Sequence, residues 1–219
     1  MSSNGTDTQD IEARPISIVR LHRKTVLVPI IGITPLIVHR FDEKARKIML
    51  DNMQRSEKAQ VRAKKDPKDP KAEYEASRYR MADGSDGFPA TAFKTAMVDS
   101  ARFFGKEVTM VQLRQVRFVQ GTGPDQLVRI TGDISMREDA VKVGMGGTDL
   151  RYRAMFSDWS ATLEIHFLES QIDLSSVVNL IDAAGNGGVG EWRPSSPKGK
   201  SGTYGQFAVD LATMSGEEA

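Results

Sequence analysis

Cysteine is absent from the 219-residue chain, which removes disulfides, zinc–thiolate sites and cysteine nucleophiles and fits a reducing compartment. Histidine is scarce. His22, His39 and His166 are the only three, too scattered for a recognisable metal-ligand spacing. No stretch approaches the roughly 18 apolar residues a spanning helix needs, and no apolar run follows a basic start. A soluble, cytoplasmic protein with no membrane partner is therefore expected. Neither sign of charge dominates: 30 Lys and Arg against 29 Asp and Glu leave a formal +1, so any nucleic-acid surface has to be a local patch. The common enzyme motifs are missing too. There is no HExxH, GxSxG or Rossmann fingerprint, and residues 187–190 (GGVG) lack the Lys-Ser/Thr that completes a Walker A loop. His39 has no companion carboxylate or nucleophile predicted beside it. The expectation is a protein with no catalytic residue, no metal, no cofactor and no small-molecule substrate.

What is present suits one well-cored domain: 39% hydrophobic and 27% charged residues are ordinary for a globular chain. Residues 1–15 are polar and read as a disordered arm, 16–211 as the domain, and 212–219 as a flexible tail. Residues 24–33 (KTVLVPIIGI) read as a buried strand, with Pro29 and Gly32 marking a bulge or an edge. A charged helix is predicted over 43–65, a proline-broken linker over 64–71, a short helix over 73–80 and the most secure helix over 88–104. Strands are predicted over 108–119 and 127–134, and an alternating one over 161–167 within the stretch 154–167. A compact amphipathic helix follows over 174–184, and a last strand over 204–211. This order suits an α+β fold, an antiparallel sheet carrying helices on one face.

Two stretches carry chemistry. Residues 185–207 hold seven glycines, with Arg193, Lys198 and Lys200 among them and Trp192, Tyr204 and Phe207 interleaved. Glycine allows close backbone approach and positive φ, exposed successive amides bind anions, and flat aromatics stack on bases. A long hairpin loop with solvating lysines is the plainer alternative. Residues 136–151 form a glycine-rich excursion away from the core. Arg137, Lys142, Arg151 and Arg153 gather around it, with Met136, Met145 and Tyr152 between them. Such a basic hairpin with apolar tips suits wedging between bases. A solvated loop or a subunit contact would explain it equally well.

Three segments, in order, resemble the RAMP superfamily, the ferredoxin-like (RRM-type) proteins that include guide-RNA-binding backbone subunits of CRISPR complexes. They are a strand ending in Thr34-Pro-Leu-Ile-Val-His39, the helix entry Phe88-Pro-Ala-Thr-Ala-Phe-Lys-Thr-Ala-Met97, and an amphipathic helix running into Gly188-Val-Gly190 and Gly202-Thr-Tyr-Gly205. The matches span 25–211. The resemblance implies a ferredoxin-like sheet with a protruding thumb-like hairpin over about 136–151. It also implies a nucleic-acid path along the Gly loop and the start of the first core helix. By position, His39 or Arg40, Lys94, and Lys198 and Lys200 would lie near that path. The chain is smaller than the usual backbone subunits, and the catalytic His or Asp of the family's nucleases has no counterpart here. The Gly-Val-Gly-Glu-Trp-Arg-Pro run also looks like small proteins of tailed bacteriophages.

Three functions stay open. The leading one is an oligomerising single-stranded nucleic-acid-binding protein, as filament or ring, favouring DNA. It would use His39, Arg40, Lys94, Arg137, Lys142, Arg151, Arg153, Trp192, Arg193, Lys198, Lys200 and Tyr204. The others are a guide-RNA-binding subunit and a phage assembly protein with protein contacts only.

Overall fold

The structure is a computed structural model that describes residues 18, 20–41, 46, 47, 50, 53, 68–143, 147–197 and 201–216. β1 (Arg23–Gly32) buries Val28 and Ile30 and turns Leu27 and Ile31 outward, the alternation of a strand with one covered face. β2 (Leu36–Val38) is wholly buried. α1 (Pro70–Ala76) begins at a proline, with the Asp69 carboxylate accepting from the Lys71 and Ala72 amides at 3.0 and 3.2 Å. β3 (Tyr79–Arg80) pairs with β4 (Asp86–Pro89), which runs directly into α2 (Ala90–Asp99) and a 3₁₀ turn, Ser100–Phe104. α3 (Met110–Val116) and β5 (Arg117–Gln120) follow, and β6 (Leu127–Arg129) completes a small sheet with β3 and β4. β7 (Thr131–Val143) and β8 (Gly147–Leu168) make the long hairpin. α4 (Leu174–Gly187), β9 (Phe207–Val209) and α5 (Leu211–Gly216) end the described chain.

The main sheet is organised on β8. Its residues 164–167 pair with β1 and with β5, so those two strands lie on opposite edges. β9 adds to the far edge of β1 through Ile30, Ile31 and Gly32. The local order is therefore β9–β1–β8–β5, antiparallel throughout. With α2 after β1 and α4 after β8, this is the ferredoxin-like arrangement, fourth–first–third–second. One face carries the core: Val28, Ile30, Leu163, Ile165 and Phe207 meet Phe93 and Met97 of α2 and Val177, Ile181 and Ala184 of α4. Five rings cross it edge to face, Tyr79–Phe88–Phe93–Phe207–Trp159, with centroids 5.8 to 6.1 Å apart.

The hairpin leaves the sheet at a bulge. Its register shifts between Thr131 and Asp133, where Gly132 has φ 148° and Asp158 has φ 46°. Beyond it the ladder is regular from Asp133↔Ser157 to Val143↔Gly147. Over its described residues, 136–143 and 147–151, the predicted excursion is thus a two-stranded extension, continuous with β8. By contrast, no bulge occurs at Pro29, since the β1–β8 register is unbroken from Arg23↔Leu168 to Ile31↔Ser160. The Pro29 carbonyl accepts from the Asp210 amide at 2.9 Å. The side of the residue that lacks an N–H therefore faces away from β8, where no ladder bond is lost. Gly32 is bare for another reason: a Cβ there would stand 2.2 Å from Trp159 Nε1.

Several boundaries differ from expectation. Residues 108–119 were expected as one strand, but α3 occupies most of that stretch. The Thr109 hydroxyl accepts from the Gln112 amide at 3.3 Å, and the Gln112 side chain accepts from the Thr109 amide at 2.9 Å. That reciprocal capping box starts a helix despite the β-branched composition. The single strand over 127–134 is two strands in two sheets, and Ile130 between them donates to the Asp86 carbonyl at 3.0 Å. Residues 73–80 divide into the end of α1 and β3. The helix over 174–184 continues to Gly187. The last strand is only three residues, after which Asp210 caps α5 through the Thr213 amide (3.2 Å), where a tail was expected from residue 212. Of the helix predicted over 43–65, only Arg46, Lys47, Leu50 and Met53 are described, all helical. Residues 1–15, the first half (64–67) of the 64–71 linker, Met145, Lys198 and Lys200 lie outside the described residues.

Candidate nucleic-acid interface

Three sequence-distant segments converge on one open groove of about 290 Å³. The end of β2 brings His39. The first two turns of α2 bring Thr91, Ala92 and Thr95. The loop after α4 brings Gly188, Val189, Gly190, Glu191, Arg193 and Ser195, while Tyr79, Phe88 and Pro89 wall the remaining side.

The Gly loop is built against the protein's own backbone. The Gly188 amide donates to the Ala184 carbonyl (3.1 Å), Val189 to Gly205 (2.9 Å), Glu191 to Ile37 (2.9 Å) and Ser195 to Gly187 (3.0 Å). A Cβ on Gly205 would lie 1.8 Å from the Val189 carbonyl oxygen, and one on Gly190 2.6 Å from that of Ile37. Both glycines also have positive φ, 69° and 80°. These amides are committed internally, so the expected anion-binding nest of successive exposed N–H groups does not form at them. Arg193 is committed as well: its guanidinium donates to the Gly190 carbonyl (2.8 Å) and the Ser195 hydroxyl (3.1 Å). It staples the loop.

The aromatics expected as stacking platforms are partly occupied. Trp192 is half-buried at φ 57°, and its indole nitrogen is buried with no partner among the described residues. Tyr204 accepts from the Arg137 guanidinium at 2.9 Å, and that guanidinium lies 4.8 Å from the ring centroid. Arg137 also donates to Asp139 at 2.8 Å. This cation–π contact braces the hairpin to the Gly loop.

Arg153 corrects the sequence expectation most clearly. Expected to hold phosphates, it is only 2% exposed. It lies 3.5 Å from the Asp139 carboxylate and 3.9 Å from that of Glu191. The buried Asp139 and Arg153 thus stand beside His39 and Glu191, which line the groove. His39 Nδ1, Asp139 Oδ2 and the Arg153 Nε and Nη1 find no hydrogen-bond partner among the described residues. Burial, then the Arg153 charge, holds the His39 imidazole below its ordinary value, so it is neutral at pH 7. Of the remaining expected residues, Lys142 is exposed, and Arg40, Lys94 and Arg151 are half-exposed. Lys94 lies on α2 between the groove-lining Thr91 and Thr95 without itself lining the groove. Tyr152 stands opposite Glu138 across the hairpin.

The residues that sequence reasoning missed are Tyr79, Phe88, Thr91, Thr95 and Glu191. Phe88, Thr91 and Thr95 lie inside the helix entry that carries the resemblance, and Glu191 inside the Gly-rich run, whereas Tyr79 carried no signal. Among the described residues no group of three or more His, Asp or Glu is placed to hold a metal ion, and no helix is long and apolar enough to cross a membrane.

The fold and groove define a class: an α+β protein with a ferredoxin-like antiparallel sheet, a strand-hairpin extension and an open groove over the first core helix. No family model and no curated protein matches the chain. Among solved structures, the crystal structure of Cmr6 from Pyrococcus furiosus matches at a TM-score of 0.41 with 10% identity, covering 87% of this chain and 100% of that one. The ferredoxin-like assignment rests on this chain's own strand order.

Proposed function

We propose that the chain is a non-enzymatic, oligomerising single-stranded nucleic-acid-binding protein, DNA favoured, serving a bacteriophage in replication or recombination. The observation that carries this reading is the convergence at one groove of the three segments that resemble RAMP proteins. His39, the α2 entry and Gly188–Gly190 are far apart in sequence and line the same surface. The hairpin adds support. It projects from the sheet beyond the bulge, carries Lys142 and Arg151, and is tied to the Gly loop through Arg137 and Tyr204. A strand passing the groove would meet both.

The test is fluorescence anisotropy with labelled 30-mer single-stranded DNA, single-stranded RNA and duplex DNA at two salt concentrations. The Lys198→Ala/Lys200→Ala double variant runs alongside. Single-strand binding that weakens with salt and drops about tenfold or more in the variant is expected. Indifference to all three ligands overturns the reading and leaves a protein that makes protein contacts only.

A further inference from the structure

We infer that the groove is a pocket for one splayed nucleobase and that Glu191 makes it select guanine, an inference that rests on the single-strand-binding reading above. At about 290 Å³ the groove is at the small end of ligand pockets, matching one planar heterocycle rather than a length of strand. Its walls suit a flat ring: Tyr79 and Phe88, packed edge to face at 5.8 Å, with Pro89, Ala92, Ala96 and Val189.

Its charges are wrong for phosphate. The ionised groups lining it are Glu191, Asp99 and Arg193, and the Arg193 guanidinium is turned onto its own loop. The Thr95 hydroxyl donates to the Thr91 carbonyl at 2.8 Å. The Glu191 side chain is 39% exposed, and its nearest cation among the described residues, Arg153, stands at 3.9 Å, too far for a hydrogen bond. Its backbone is fixed by the bond from its amide to the Ile37 carbonyl. A fixed, underused carboxylate in an aromatic-walled pocket asks for a flat ligand with N–H donors. Among the bases only guanine offers two adjacent donors on its pairing edge, N1–H and the N2 amino group, which match both carboxylate oxygens. Cytosine and adenine each offer one amino group beside an acceptor nitrogen. Thymine and uracil flank a single N–H with two carbonyls that repel the carboxylate. The His39 imidazole, on the same wall, can donate to O6.

The experiment compares 30-mer thymidine strands in which five evenly spaced positions are guanine, adenine, cytosine or hypoxanthine. Wild type and Glu191→Gln are measured by anisotropy, with folding checked by circular dichroism. The guanine strand is expected to bind wild type about tenfold more tightly than the adenine or cytosine strands. Hypoxanthine keeps N1–H and O6 but lacks the N2 amino group, so it should lose most of that gain. Glu191→Gln should bind all the strands alike, at the affinity wild type shows for adenine. Wild type binding all four strands equally overturns the pocket and leaves the single-strand reading standing. Guanine preference that survives Glu191→Gln, or that hypoxanthine fully retains, overturns Glu191 as the reader. Failure to bind any strand overturns both. The hypoxanthine comparison uses wild type alone, so it holds even if the variant does not fold.

Discussion

His39 is the residue at which acid should be felt. Burial is the first cause of its lowered value, and the facing charges are Arg153, Glu191 and Arg151. In the unfolded chain the imidazole titrates near its ordinary 6.5. As pH falls through that value the unfolded state takes a proton that the folded state resists, so stability falls with pH until the folded-state value is passed. His39→Gln removes that contribution. Urea midpoints at pH 7.5 and 5.5 should therefore fall further for wild type than for the variant. Equal losses would mean that His39 is not the group responsible. The same cluster shows why part of the site cannot be read from the sequence. Arg153 sits in a basic stretch and reads as a phosphate contact, but it is buried, with Asp139 at 3.5 Å and Glu191, 38 positions later, at 3.9 Å. Composition carries no trace of that contact. His39 is legible because it ends an apolar strand, where the chain has to emerge near the helix that follows.

Glycines at the end of α4 separate two uses of one residue type. Gly185 lies where the helix crosses β9, and a Cβ there would stand 1.7 Å from the Phe207 carbonyl oxygen. Gly187, half a turn on in the same helix, meets nothing nearer than Ser195 Cβ at 3.5 Å. Gly185→Ala should then cost about 3 kcal/mol, because backbone on both sides would have to shift. Gly187→Ala should stabilise by about 0.5 kcal/mol by restricting the unfolded chain. Urea denaturation of the two single variants checks the opposite signs, and a loss at Gly187 as large as at Gly185 would contradict this account. The amphipathic period of α4 is plain in the sequence, and so is the alternation of β1 and β8, because each buries one face. The end of α4 is not: two glycines and an asparagine look like a loop until β9 is there to pack against. α3 fails for a related reason, since its β-branched residues point to a strand and only Thr109 with Gln112, at capping-box spacing, points to a helix.

Across the whole molecule, near-balanced charge limits how a strand can be held. The strand order follows from segments whose patterns are local, which is why the ferredoxin-like arrangement is legible even where boundaries move. The charge layout is not local. Of the four hairpin cations expected on phosphates, Arg137 and Arg153 are committed to Asp139, while Lys142 and Arg151 are open to solvent to different degrees. With Arg40, Lys94, Lys198 and Lys200, the residues expected at the interface include six cations besides Arg137, Arg153 and Arg193. For single strands each phosphate neutralised contributes about −0.7 to the slope of log K against log salt. If those six meet phosphates, a protomer should give a slope of about −4. Lys142→Ala should make that slope shallower by about 0.7, whereas Arg137→Ala, which removes an internally paired cation, should leave it unchanged even if overall affinity falls. Anisotropy titrations on one short strand across a salt series read all three slopes. If Arg137→Ala flattened the slope as much as Lys142→Ala, the Arg137–Tyr204 brace would have to open on binding, and the hairpin would be a moving part rather than a fixed one.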